Sequence, residues 1–197
     1  EEETVRAMAV GMELVRTLKE EGYRILATGE MGIGNTTTSS AMAAALLKCE
    51  VPLVTGKGAG LSEKGLLHKQ EVIGQAIRKY DLYEKEAFTI LETVGGLDIA
   101  GLVGVCIGGA IYRIPIVLDG VISLVAALTA EKIAPGTKEY LLTSHQGKEP
   151  AAKFLLKSLE KEAVLNAHMA LGEGTGAVMM FPLLDMALRV YHDDTYK

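Results

Sequence analysis

A glycine-rich turn between a predicted strand and a predicted helix constrains the fold of this chain more than any other feature. The segment YRILAT, at 23–28, is a short apolar run that predicts a buried strand. The turn GEMGIGN follows it, and the helix-forming run TTTSSAMAAALLK begins with Thr and Ser residues suited to capping. Such a turn directs backbone N–H groups and the positive end of a helix toward a bound phosphate. The sequence therefore predicts an α/β fold with an anion site beyond its first strand.

The rest of the chain repeats the alternation of strands and helices. RIPIVLDG at 113–120 and YLLTSH at 140–145 predict further strands, and AVLNAHMALGEGTGA supplies a strand-like run before a second glycine turn. A first helix is predicted from about Glu3 to Glu20, with Gly22 as the glycine that ends it, and another from Ser62, its N-cap, to about Tyr80. Right-handed crossovers then give a three-layer, Rossmann-like parallel sheet flanked by helices. At 197 residues, a single α/β domain covering 1–197 is expected.

Glycines also recur inside the predicted helix that precedes the strand at 113–120. Gly101, Gly104 and Gly108 stand at helical spacing, where each costs about 0.8–1.0 kcal/mol of helix stability against alanine. We therefore expect them to serve close packing of this helix on the sheet.

Composition excludes several classes of function. The net charge is -5 and no Lys/Arg cluster offsets it, which argues against a nucleic-acid-binding surface. The longest apolar stretch, 99–111, is interrupted by glycines and shorter than the roughly 20 residues that a bilayer requires. Cys49 and Cys106 lack metal-ligand spacing, as do the histidines, so reduced thiols in a cytoplasmic protein without a metal site are expected.

The first glycine turn fails the two common nucleotide-binding patterns. Gly29, Gly34 and Thr36 match the ATP-binding loop, but Asn35 stands where that loop needs its lysine. The dinucleotide fingerprint fails as well, because Thr37 replaces its third glycine. A single phosphate, bound by amides and hydroxyls, fits better than a triphosphate or pyrophosphate. The alternative is a glycine turn with ordinary helix caps.

Several polar residues are expected at one edge of the sheet, because ligands of parallel sheets gather beyond the carboxyl ends of the strands. They are Glu30, Asp119, Ser144 and His145. Glu173 lies between glycines in the second turn, where a confined position would desolvate its carboxylate and suit it to general-base chemistry. The alternative is that Glu173 caps the following helix, and Glu30 leaves the same choice open.

Five segments together resemble one enzyme family in order and spacing, over nearly the whole chain. They are GEMGIGNTTTSSA (29–41), GKGAGLSEKG (56–65), RIPIVLDGVIS (113–123), SHQGKEP (144–150) and LGEGTGAVMMFPLLDMAL (171–188). The chain resembles the nicotinate-nucleotide:dimethylbenzimidazole phosphoribosyltransferases of cobalamin biosynthesis. It begins well inside the family pattern, so we expect an N-terminal small-domain portion to be absent and the C-terminal extension to be shortened.

The resemblance implies a reaction and a set of roles. The family transfers the 5-phosphoribosyl group of nicotinate mononucleotide to 5,6-dimethylbenzimidazole, inverts the anomeric carbon, and releases nicotinate and α-ribazole 5′-phosphate. It implies a homodimer, no cofactor, no metal, and Glu173 as general base. Substrate-binding residues carried over are Gly32, Gly34, Asn35, Thr36 and Thr37 at the phosphate, Glu30 beside the ribose, and Lys69 at the phosphate or the nicotinate carboxylate. Asp119, Ser144 and His145 are weaker candidates.

Two alternatives stay open at this point. Lys69 would otherwise be an exposed lysine on a solvated helix. The chain as a whole would otherwise be a truncated, non-catalytic module that holds a mononucleotide or pairs with a partner subunit. The accepted aromatic base also stays open among dimethylbenzimidazole, another benzimidazole, adenine and a phenol.

Overall fold

Three short parallel strands form the centre of the molecule, which the computed structural model describes over residues 1–169 and 171–193. The strands are β1 (Leu26–Ala27), β2 (Ile116–Leu118) and β3 (Leu141–Thr143). The α-helices in these ranges are α1 (Glu2–Glu20), α2 (Asn35–Leu47), α3 (Val51–Val54), α4 (Glu63–Tyr80), α5 (Ala87–Val94), α6 (Leu97–Tyr112), α7 (Val121–Ile133), α8 (Ala151–Ser158) and α9 (Thr175–His192).

The sheet is parallel throughout, with β2 between β1 and β3. Successive side chains of a strand point to opposite faces, and β2 uses both faces for packing. Ile116 and Leu118 belong to the main core, which is built largely by helices between α1 and α8. Val117 packs on the other side against Ala177 and Met180 of α9. These contacts confirm the expected three-layer α/β arrangement.

Local signals located several helix ends correctly. The Ser62 hydroxyl accepts a hydrogen bond from the Gly65 N–H at 3.1 Å, so Ser62 is the N-cap of α4 as predicted. Helix α1 stops at Glu20, and Gly22 follows with a φ of 97° that a glycine adopts without strain. None of the helices in the described ranges is long and apolar enough to span a bilayer.

The expected strand in AVLNAHMALGEGTGA is wrong for the part of this run that the structure describes, which excludes Ala170. Leu165 makes an isolated parallel bridge to His145. Its N–H donates to Ser144 O at 2.9 Å, and its carbonyl accepts from Gln146 N–H at 2.9 Å. Val164 is exposed, so this segment has little apolar surface with which to extend the sheet.

The three glycines of α6 pack against a helix, and the expectation that they contact the sheet is wrong. A Cβ at Gly104 would overlap the Met8 carbonyl oxygen of α1 and lie 2.9 Å from Met8 Cα. A Cβ at Gly108 would lie 3.1 Å from Met12 Cα, again on α1. At Gly101 the nearest atom is Ala7 O at 3.9 Å. Small residues on α6 therefore allow a close approach of two helix backbones, a contact between segments that are distant in sequence.

Candidate functional site

The two glycine turns lie against each other although they are far apart in sequence. Gly29 follows β1, and Gly174 precedes α9. A Cβ at Gly29 would lie 3.1 Å from Gly174 Cα and 3.2 Å from Gly174 N. A Cβ at Gly174 would lie 3.3 Å from Gly29 Cα. Both positions therefore leave little room for a side chain, and the two turns are in contact.

Polar contacts fix the shape of the first turn. The Asn35 side-chain amide donates to Glu30 Oε2 and, at 2.9 Å, to Asp98 Oδ2. The Gly32 N–H also donates to Glu30 Oε2, at 2.9 Å. A Cβ at Gly32 would overlap both the Asn35 amide and the Asp98 carboxylate. Asn35 therefore holds the turn together, and its predicted contact with a phosphate stays a prediction.

Helix α2 begins directly at this turn. Gly34 is its N-cap with a φ of 84°, and the Thr37 N–H donates to Gly34 O at 3.0 Å. The glycine permits the left-handed conformation that turns the chain into the helix. The positive end of α2 consequently faces the loop surface, as an anion site requires.

Lys69 of α4 connects the first turn to a second loop. Its ammonium nitrogen donates to Thr36 Oγ1 and to Gly56 O, both at 3.1 Å. The residue is only 6% exposed, so the alternative of an exposed, solvated lysine is wrong. Burial lowers the pKa of Lys69, and the negative charge of Glu149 partly offsets that effect. Glu149 is itself held by the Gly58 N–H at 3.1 Å.

The second turn has an unusual backbone that Asp119 supports. Gly172, Glu173 and Gly174 have consecutive positive φ values of 77°, 57° and 86°. The Asp119 carboxylate accepts hydrogen bonds from three backbone N–H groups that follow Glu173, those of Gly174 (3.1 Å), Gly176 (2.9 Å) and Ala177 (3.2 Å). Asp119, and not Glu173, therefore caps α9. The Glu173 side chain is exposed, so the expected desolvation of its carboxylate is wrong.

Ser144 and His145 lie beneath the start of α9. Both are buried, and Ser144 Oγ lies 3.0 Å from His145 Nδ1 and 3.4 Å from Asp119 O. A Cβ at Gly176 would overlap the His145 ring. The pair therefore supports the helix start, and a direct contact with substrate stays a prediction for both residues.

A cavity of about 680 Å³ opens between these loops, within the size range of small-molecule sites. Predicted site residues that line it are Glu30, Thr36, Asp119 and His145, and Gly172 brings the second turn to its wall. The predicted residues outside this lining are Gly32, Gly34, Asn35, Thr37, Lys69, Ser144 and Glu173. Some of the predicted residues therefore line the cavity between the two turns, while the others lie outside its wall.

Sequence reasoning missed several residues around the cavity. Lys57, Gly58, Lys148 and Glu149 line it, and all four lie within the segments GKGAGLSEKG and SHQGKEP. Asp98, which holds Asn35, was missed as well. The four cavity residues could have been predicted, because both segments were already marked in the sequence. Asp98 gave no such signal, since an acidic residue in the first turn of a helix is an ordinary feature. Over residues 1–169 and 171–193, no group of three His, Cys, Asp or Glu side chains could hold a metal ion.

Comparison with known proteins gives the family. A family model described as phosphoribosyltransferase matches residues 1–196. The chain belongs to this phosphoribosyltransferase family. It is 45% identical over 190 residues to the nicotinate-nucleotide–dimethylbenzimidazole phosphoribosyltransferase of Clostridium acetobutylicum. The matched region covers 96% of this chain and 54% of that protein. It is 43% identical over 192 residues to the protein of the same name from Halalkalibacterium halodurans, with 98% and 54% covered.

A solved structure has the same fold. The crystal structure of CobT from Thermus thermophilus superimposes with a TM-score of 0.92 at 38% identity, over 97% of this chain and 57% of that one. The chain thus spans about half the length of the relatives it matches.

Proposed function

We propose that this chain transfers the 5-phosphoribosyl group of nicotinate mononucleotide to 5,6-dimethylbenzimidazole. The relatives' names supply this substrate pair, and membership of the phosphoribosyltransferase family supplies the class of reaction. The products are α-ribazole 5′-phosphate and nicotinate, with inversion at the anomeric carbon. The accepted base belongs to the benzimidazole class in this proposal, and related bases are outcomes for the assay to distinguish.

The mononucleotide phosphate is assigned to the first turn. Gly32, Gly34, Asn35, Thr36 and Thr37 shape that turn and the start of α2, where backbone N–H groups and the helix dipole favour an anion. The Lys69 ammonium, bonded to Thr36 Oγ1, adds a positive charge beside this position. Glu30, which lines the cavity, is assigned to the ribose.

The contact between Gly29 and Gly174 is the observation that carries the proposal. It supports a base on the second turn acting on a substrate held by the first, because the two backbones touch. Glu173 is the carboxylate of that second turn, next to Gly172 in the cavity wall.

The chemistry needs one base and no acid. Nicotinate is bonded to the sugar as a pyridinium, so it leaves with the electron pair of the broken C–N bond and needs no proton. The free ring nitrogen of the benzimidazole attacks the anomeric carbon from the opposite face, and positive charge spreads over its ring. Glu173 accepts the ring N–H proton as this bond forms, which neutralises the new cation.

Replacement of Glu173 by Gln tests the assignment. We expect turnover, measured as nicotinate released from the two substrates, to fall about 10²–10⁴-fold, because a general base contributes on that order. Binding of the mononucleotide should change little. Glu139→Gln, an exposed residue at the opposite end of β3, is the matched control and should retain the parent rate. A Glu173→Gln variant within threefold of the parent rate would contradict the role.

A second candidate function is a non-catalytic module that binds the mononucleotide or pairs with a partner subunit. The exposure of the Glu173 side chain favours it, because a general base works best in a site that excludes water. Mononucleotide binding without nicotinate release would support this candidate over the transferase.

We also propose a single domain over 1–197, a homodimer and a cytoplasmic location. The continuous main core, with contributions from α1 to α8, supports the single domain. The location rests on the expectation of reduced thiols at Cys49 and Cys106. The homodimer rests on the family resemblance, and sedimentation analysis tests it.

A further inference from the structure

Asp119 stands at the carboxyl end of the central strand of the sheet. It directly follows β2, the central strand, and its own N–H donates to Thr28 Oγ1 at 3.0 Å. Thr28 Oγ1 also donates to Ser123 Oγ at 2.9 Å, and the Asp119 carbonyl accepts from Ser144 Oγ at 3.4 Å. The backbone of Asp119 is therefore tied to elements on both sides of the strand.

The Asp119 side chain is largely occupied by the second turn. Its two carboxylate oxygens accept from three backbone N–H groups, and the residue is 5% exposed. A carboxylate has about four acceptor positions, so little capacity is left for a sugar hydroxyl. The geometry does not favour the substrate-binding role that the sequence suggested for this residue.

The second turn needs such support because of its backbone. Glu173 has a φ of 57°, a left-handed conformation that residues with a Cβ seldom adopt, between two glycines that are also left-handed. The N–H groups of Gly174 and Gly176, on either side of Thr175, are among those that Asp119 holds. The carboxylate thus fixes the chain directly after Glu173 to the end of the central strand.

We propose that Asp119 is the positioning residue for Glu173, acting through the backbone of the second turn and not through substrate. The inference rests on the proposed function, in which Glu173 accepts a proton from the incoming base. A base displaced from its productive geometry loses turnover while substrate binding elsewhere is retained.

Asp119→Asn tests the inference because it alters the turn selectively. The single amide oxygen can still accept from the Gly176 and Ala177 N–H groups. The amide nitrogen carries hydrogens and cannot accept from the Gly174 N–H, so that hydrogen bond is lost. We expect turnover to fall at least tenfold while the KM for nicotinate mononucleotide stays within threefold. Asp185→Asn, the same change at an exposed position of α9, is the matched control and should retain the parent values.

A double variant separates positioning from a general loss of structure. If Asp119 acts through Glu173, the variant Asp119→Asn/Glu173→Gln should be no slower than Glu173→Gln alone. Multiplied losses in the double variant, or an Asp119→Asn variant with the parent turnover, overturn the inference. Asp119→Ala, which removes the carboxylate, is measured in parallel and should show the same loss of turnover, so that misfolding of one variant does not decide the result.

Amide hydrogen exchange gives a readout that does not depend on transfer. In Asp119→Asn we expect the Gly174 amide to exchange at least tenfold faster, while amides in the middle of α7 keep their protection. Unchanged exchange at Gly174 overturns the inference. A parent chain that releases no nicotinate contradicts the proposed function alone, and the exchange result then decides whether Asp119 holds the turn.

Discussion

At the scale of a single residue, Lys69 places one positive charge between two loops of the site. Its ammonium bonds Thr36 Oγ1 and Gly56 O, and burial lowers its pKa. Among residues 1–169 and 171–193 this ammonium forms no direct ion pair, and Glu149 acts on it only from a greater distance. A desolvated cation in such a position is costly to keep in a fold, which points to a use beyond stability. A phosphate at the first turn would supply the missing negative charge.

Lys69→Met should therefore weaken binding of nicotinate mononucleotide about ten- to hundredfold, because a charged hydrogen bond contributes about 1.5–3 kcal/mol. Isothermal titration calorimetry measures the Kd. The matched control is Lys64→Met, an exposed lysine on the same helix, which should bind as the parent does. Equal affinities in the two variants would remove Lys69 from the binding site.

Residue types in the site could be predicted, but their uses could not. Asn35 and Asp119 stand at motif positions that the sequence marks as candidates for contact with substrate. Asn35 is bonded to Asp98, and Asp119 is bonded to Gly174, so each partner is distant in the sequence. Hydrogen bonds of this kind depend on tertiary structure, so spacing within a motif does not indicate whether a side chain contacts a ligand or holds a loop.

At the scale of elements, the contact between α1 and α6 shows how far local signals extend. The cap at Ser62 and the end of α1 were predicted because capping depends on a few neighbouring residues. The strand at 23–28 was located correctly, but it pairs only over Leu26–Ala27, since pairing depends on the partner strand. The partner of the α6 glycines was predicted wrongly for the same reason.

Two alanine substitutions in α6 should have opposite effects. At Gly104 the new Cβ meets backbone of Met8, so overpacking should cost about 1–3 kcal/mol and outweigh the gain in helix propensity. At Gly101 the nearest atom is 3.9 Å away, so Gly101→Ala should gain up to about 1 kcal/mol from propensity. Urea denaturation measures both free energies of unfolding. Stabilisation by Gly104→Ala would contradict the close approach of α1 and α6.

At the scale of the whole molecule, a ligand in the cavity would connect parts of the chain that fold from distant segments. The cavity wall includes Thr36 of α2, Gly58, His145 and Gly172. Thr36 and His145 come after β1 and β3, whose carboxyl ends meet at one edge of the sheet, whereas Gly58 lies in the loop before α4 and Gly172 in the turn before α9. A mononucleotide bound there would stabilise the folded chain as a unit, since the unfolded chain has no such site.

Nicotinate mononucleotide should accordingly raise the melting temperature by about 5–10 °C at about 100 times its Kd. That concentration adds about 2.7 kcal/mol to the free energy of unfolding, and each kcal/mol shifts Tm by about 2–4 °C in a domain of this size. Differential scanning calorimetry measures the shift, and nicotinate without its sugar phosphate is the control ligand. Glu173→Gln should keep the shift, because the proposed base acts on the incoming heterocycle, whereas Lys69→Met at the same concentration should lose about half of it or more. If the intact mononucleotide raises Tm no more than nicotinate does, the cavity between the turns does not hold the phosphoribosyl group, and both the transferase and the binding-module proposals fail together.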